Sequence, residues 1–118
     1  MVERWCAMIT DEKAYQITQW LVDIAETAAA AKAQATFLTE EVKAVAAELQ
    51  RKSEAKTHAQ REAYALTHPA HRAAREAARD AQKEDWKYRI LIKGAEAELD
   101  FWRTHSANHR GAMHRNGG

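Results

Sequence analysis

The chain has 118 residues, 4 Gly, 1 Pro, 30% charged residues and a net charge of +1. So few turn-forming residues argue against a strand-rich fold, which needs a turn about every 8–12 residues. Apolar residues reach 46%, but many are Ala, so a large-residue core is thin. No apolar run approaches the ~18 residues of a membrane span, and Met1–Thr10 lacks the basic start and apolar centre of a signal peptide. One cysteine, Cys6, cannot form a disulfide within the chain. The expectation is a reduced, cytosolic protein, with no membrane partner.

Chain order begins with a lead-in over 1–10, where Thr10-Asp11-Glu12 supplies a helix cap and an acidic first turn. A first helix is expected over 11–66, because nothing like a breaker interrupts it. Ile17, Leu21, Ile24, Ala28, Ala31, Ala35, Leu38, Val42, Val45 and Leu49 alternate by 4 and 3. That is a heptad seam. Continued, it meets Lys52 and Lys56, then Ala59, Ala63 and Leu66.

The turn is expected near Pro69, the only proline. Proline pushes the preceding residue out of the α region and suits the first turn of a new helix. A second helix is expected over 69–105, apolar along Ala74, Ala77, Ala78, Ala81, Tyr88, Leu91, Ile92, Ala95, Leu99 and Trp102. This stripe is wide enough for more than one partner helix. Residues 107–118 are expected to form a flexible basic tail beyond a single hairpin domain at 11–106.

An antiparallel hairpin turning near residue 68 pairs residues whose numbers add to about 136, and this register agrees in charge and volume. It sets Lys52 beside Glu84 and Lys56 beside Asp80, and stacks Ala59 and Ala63 on Ala77 and Ala73. It also leaves residues 1–30 without a partner, including Trp5, Met8, Tyr15, Ile17, Trp20, Leu21, Val22 and Ile24. Large apolar residues are seldom left exposed in a stable monomer. The fold expected is therefore all-α: a long antiparallel helical hairpin of coiled-coil type, assembling as a helical-bundle homodimer. Ile17, Trp20, Leu21, Ile24 and Trp102 are its candidate oligomer interface. The competing reading is a kink near 28–33 and a compact monomer.

Motifs for catalysis are missing. There is no glycine-rich phosphate loop and no nucleophile elbow, and no cofactor is expected. Cys6 lies in a packing context, and Glu40-Glu41 and Glu84-Asp85 fall on helix surfaces. His105 and His109 have the i,i+4 spacing that puts two imidazoles on one helix face. No acid follows them, and with Arg103, Arg110 and Arg115 they look more like a cationic end than a ligand set. Residues 1–50 carry 4 basic and 8 acidic side chains, whereas 51–118 carry 14 basic and 9 acidic. This asymmetry points the C-terminal end toward an acidic partner. Arg72, Arg75 and Arg79 make a second basic stripe able to follow phosphates or to pair with neighbouring acids. The candidate partner contacts are Arg103, Arg110, Arg115, His105, His109, Arg72, Arg75 and Arg79.

The segment Leu99-Asp100-Phe101-Trp102-Arg103-Thr104-His105-Ser106-Ala107-Asn108-His109-Arg110 is the least generic stretch. It resembles the C-terminal end of small helical proteins encoded by tailed phages and prophages. In these, a long Ala- and charge-rich helical pair ends in a Trp-Arg-Thr-x-Ser-Ala-Asn-x-Arg pattern. Some are encoded among recombination and replication genes. The resemblance covers about a dozen residues and implies an intracellular phage accessory protein. It carries over no catalytic residue, and marks Trp102, Arg103, Ser106, Asn108 and Arg110 as positions for a shared role. Two functions follow as expectations. One is a non-enzymatic oligomeric coiled coil that acts on a protein or nucleic-acid partner in phage DNA metabolism through its basic end. The alternative is a phage-encoded inhibitor of a host defence system or nuclease, acting by occlusion.

Overall fold

Thr10 opens the first helix by accepting the Lys13 backbone N–H on its hydroxyl at 3.1 Å, satisfying a donor that the helix itself cannot. In the computed structural model, which describes residues 10–117 with side chains up to residue 111, this helix is α1 (Asp11–Lys52). It is followed by α2 (His58–Thr67) and α3 (Pro69–Gly117). Among the described residues there are no strands, and the architecture is an all-α helical hairpin. No described helix is long and apolar enough to cross a membrane. The expected lead-in, with Trp5, Cys6 and Met8, lies outside the described residues, Thr10 excepted.

The expected helix over 11–66 is two helices. The break at residues 53–57 needs neither glycine nor proline. The Ser53 hydroxyl accepts the Ala55 N–H at 3.2 Å, and Thr57, extended at φ −105° and ψ 153°, accepts the Gln60 N–H at 3.2 Å to cap α2. Arg61 braces the corner by donating from Nε to the Ala55 carbonyl at 2.8 Å. The physical reason lies in the seam. Continuing the helix would carry Lys52 and Lys56 into the packed face, and an unpaired buried ammonium is costly. Breaking the helix leaves both exposed.

At the next joint the expected proline boundary holds. His68 is extended at φ −72° and ψ 138°, and its Nδ1 accepts the Ala70 N–H at 3.0 Å, capping α3. Beyond the expected end at 105, α3 continues through residues 107–117 as helix, so the expected tail is not a loop there. Ala107 and Asn108 offer no breaker, and Gly111 is tolerated at about 1 kcal/mol relative to Ala.

The chain divides into two compact units, residues 27–88 and residues 1–26 with 89–118. In the first, Ala28, Ala31, Ala35, Leu38, Val42, Val45 and Leu49 of α1 are all at least half-buried, as the heptad reading requires. They pack in a unit whose other buried residues are Ala65 of α2 and Ala78 and His71 of α3. Gln82 donates to the Thr39 hydroxyl at 2.9 Å across the helices. The expected register would have set Gln82 beside Glu54. The corner and α2 together make the reversal, so the register is displaced and the lysine pairings do not form. Lys52 instead reaches Glu48 at 3.3 Å, Glu84 reaches Lys87 at 3.9 Å and Asp80 reaches Arg79 at 3.6 Å. Ala59, Ala63 and Ala77 are exposed rather than stacked.

In the second unit Ala14, Ile17 and Leu99 are buried, with Leu21, Ala95 and Trp102 packed on them. The segment expected to overhang from residue 11 onward is therefore partnered by the chain's own α3. Ile17, Leu21 and Trp102, expected at an oligomer interface, are spent in this core, and Trp20 and Ile24 are half-buried. The buried line of α3 is narrower than the expected stripe. It runs His71, Ala74, Ala78, Ala81, Asp85 and Tyr88 in one unit, and Ile92, Ala95, Leu99, Trp102 and Ser106 in the other. The spacing alternates by 3 and 4, which is a one-partner seam. Leu91 lies off it and is exposed.

Candidate functional site

Asp11 in the first turn of α1 and the last turns of α3 line a cleft. Its lining is Asp11, Trp102, Arg103, His105, Ser106, His109 and Arg110, around about 470 Å³. Helical geometry gathers these residues: 102, 106 and 109 continue the seam, and 103 and 110 are one heptad apart beside it. Four of the five C-terminal contacts read from the sequence, Arg103, His105, His109 and Arg110, thus share one cavity. The fifth, Arg115, has a side chain outside the described ones.

The indole N–H of Trp102 donates to Asp11 Oδ1 at 3.1 Å and closes the inner end of the cleft. Arg103 meets Asp100 one turn back at 3.2 Å, and both side chains are largely exposed. Such a pair contributes about 0–1 kcal/mol and yields readily to a competing anion. The His105 ring is stacked on Phe101, with centroids 6.1 Å apart and planes 4° from parallel. This holds the imidazole against the helix. The arrangement offers cationic and hydrogen-bonding groups at variable reach along about two turns, which suits a phosphate-bearing strand or an acidic peptide. Among the described residues no three His, Cys, Asp or Glu side chains converge as a metal-holding group.

Asp11 was not singled out as a site residue by sequence reasoning, whereas Ser106 was marked by the resemblance of its segment. Asp11 reads locally as a first-turn acid, and only the packing of Leu99 on Ala14 and Ile17 brings it to Trp102. Ser106 was legible as the next seam position after Trp102.

The arginines at 72, 75 and 79 lie in the other unit and line a shallow depression of about 370 Å³ with Glu76. Arg72 donates to Glu76 at 3.2 Å and Arg79 contacts Asp80 at 3.6 Å. The stripe is thus largely engaged within its own helix, the surface-pairing alternative for these residues.

No family model, no curated protein and no solved structure matches this chain.

Proposed function

We propose that the chain is a non-enzymatic helical interaction protein of phage origin, acting in DNA metabolism by engaging a phosphate-bearing strand at the basic end of α3. The observation that supports this is the convergence of Arg103, His105, His109 and Arg110 on one open cleft beside Trp102. Binding there is largely electrostatic, because the side chains are exposed and mobile in reach rather than locked around one shape. Titration of fluorescent single-stranded DNA at several salt concentrations tests it. The Arg103→Ala/Arg110→Ala double variant lowers affinity and reduces the log–log salt slope by about 1.4, or about 0.7 per lost phosphate contact. Salt-insensitive binding, or binding unchanged in the double variant, overturns the reading.

The protein acts as a homodimer in this proposal. Tyr15 and Val22, both 65% exposed, are one heptad apart on α1 and supply an apolar face for a second copy. A second reading, occlusion of a host defence protein or nuclease, draws on Phe37 and Trp86, each 59% exposed in the unit of residues 27–88. Exposed aromatics of this kind anchor protein interfaces.

A further inference from the structure

One edge of the unit of residues 27–88 is cationic on both of its long helices. The Gln82–Thr39 hydrogen bond fixes which positions meet there. Steps of 3 and 4 residues from Thr39 reach Lys32, Thr36 and Lys43 on α1. The same steps from Gln82 reach Arg72, Arg75, Arg79 and Trp86 on α3. Every residue so reached is exposed. In an antiparallel pair joined at Gln82 and Thr39, Lys43 stands at the level of Arg79 and Thr36 at the level of Trp86. Like charges therefore face each other along one groove.

Flanking positions of paired helices commonly carry opposite charges that bridge the two. Here the partners lie elsewhere. Lys43 meets Glu40 at 3.5 Å, Arg72 meets Glu76 at 3.2 Å and Arg79 meets Asp80 at 3.6 Å, each on its own helix. Such exposed pairs are weak and yield to a competing phosphate. Arg75 has no ion pair among the described residues. Two depressions, of about 370 and 560 Å³, share Arg79 and lead along α3 to Trp86, whose side chain is largely exposed. The two acids in their linings, Glu76 and Asp85, both have partners already.

We propose that this edge binds single-stranded nucleic acid, with phosphates on Lys43, Arg72, Arg75 and Arg79 and a base stacked on Trp86. The cations of α3 and Trp86 extend over about 21 Å of helix, a track for successive phosphates rather than a pocket for one anion. An exposed indole at its end takes the face of any unpaired base. Between the rows lie the Thr39 hydroxyl and the Gln82 amide, polar groups that suit a sugar–phosphate backbone. An acidic peptide would bring apolar anchors as well, and beyond the Trp86 face this edge has no apolar side chain to receive them. The proposal does not rest on the cleft at Arg103 and Arg110, and either site can fail alone.

The test uses the full chain labelled with 5-fluorotryptophan, with the Trp86 resonance assigned by Trp86→Phe. Oligothymidylate shifts that resonance, and the shift remains in Arg103→Ala/Arg110→Ala, which separates this site from the cleft. Adding Lys43→Ala and Arg75→Ala to that variant weakens binding and lowers the log–log salt slope by about 1.4, or about 0.7 per lost phosphate contact. Trp86→Ala binds oligothymidylate about tenfold more weakly. Alanine favours helix at these exposed positions, so far-ultraviolet circular dichroism is unchanged. An oligonucleotide of abasic residues keeps the salt dependence and leaves Trp86 unmoved; this arm uses the parent chain and decides the matter even if a variant unfolds. A Trp86 signal unmoved at saturation, moved equally by the abasic strand, or accompanied by an unchanged salt slope in the lysine–arginine variant overturns the proposal. A shift caused by polyglutamate and not by oligothymidylate also overturns it, by assigning the edge to an acidic protein. So does a shift that follows protein concentration without nucleic acid, which assigns the edge to a second copy.

Discussion

Trp102 and Asp11, 91 residues apart in the chain, are joined by an indole N–H···carboxylate bond of 3.1 Å. The bond pins the first turn of α1 to α3 and places a negative charge inside an otherwise cationic cleft. Asp11→Asn keeps an acceptor for the indole and removes the charge. The variant binds single-stranded DNA more tightly than the parent and keeps nearly the same urea midpoint. Asp11→Ala binds more tightly too, but loses about 1 kcal/mol of stability with the hydrogen bond. Unchanged DNA affinity in both would remove Asp11 from the binding site.

Leu99 and Leu91 separate the observed seam from the wider stripe that the sequence suggests. Leu99 is 6% exposed in the core with Ala14 and Ile17, whereas Leu91 is 45% exposed. Leu99→Ala costs about 2–5 kcal/mol by urea denaturation, by leaving a cavity. Leu91→Ala costs much less, because its side chain already meets solvent. Equal costs would mean that the helices pack in another register.

Thr57 caps α2 by accepting the Gln60 N–H. Thr57→Ala destabilises the chain by about 1 kcal/mol, and Thr57→Asp, which restores an acceptor, recovers most of it. A Thr57→Ala variant as stable as the parent would argue for uninterrupted helix through this corner.

Glu48 accepts hydrogen bonds and charge from Arg51 and Lys52, which hold its carboxyl below the ordinary 4.5. A carboxyl lowered in the folded state contributes stability above its unfolded value and loses it as pH falls through the lowered one. Glu48→Gln is therefore less stable than the parent at neutral pH, and the two converge in acid below pH 4.5. The check is urea denaturation from pH 7 down to pH 3. A difference that persists unchanged into acid would show that the ion pairs do not contribute.

The corner at residues 53–57 shows why part of the fold escaped sequence reading. Thr57-His58-Ala59-Gln60 is a capping pattern, and Lys52 and Lys56 fall where a continuing seam would bury them. Both signals were legible. Pairing the lysines with Glu84 and Asp80 satisfied the charges equally well on paper, and local pattern alone does not decide between them. The second seam was hidden for a related reason. His71, Asp85 and Ser106 occupy seam positions that an apolar count skips, while exposed Ala77 and Leu91 were counted in.

The sequence by itself determined the α-helical class, the seam from Ile17 to Leu49, the break at Pro69 and the cationic character of the C-terminal end. These depend on neighbours within a turn or two, through helix period, proline sterics and net charge. Tertiary structure decided the register, and with it the burial of Ile17, Leu21 and Trp102, the meeting of Asp11 with Trp102 and the facing of Lys43 and Arg79. Seams interspersed with small Ala residues, as at Ala28, Ala31 and Ala35 against Ala74, Ala78 and Ala81, slide among several registers at little cost. Only the summed packing of Leu99 on Ala14 and Ile17, and of Gln82 on Thr39, selects one.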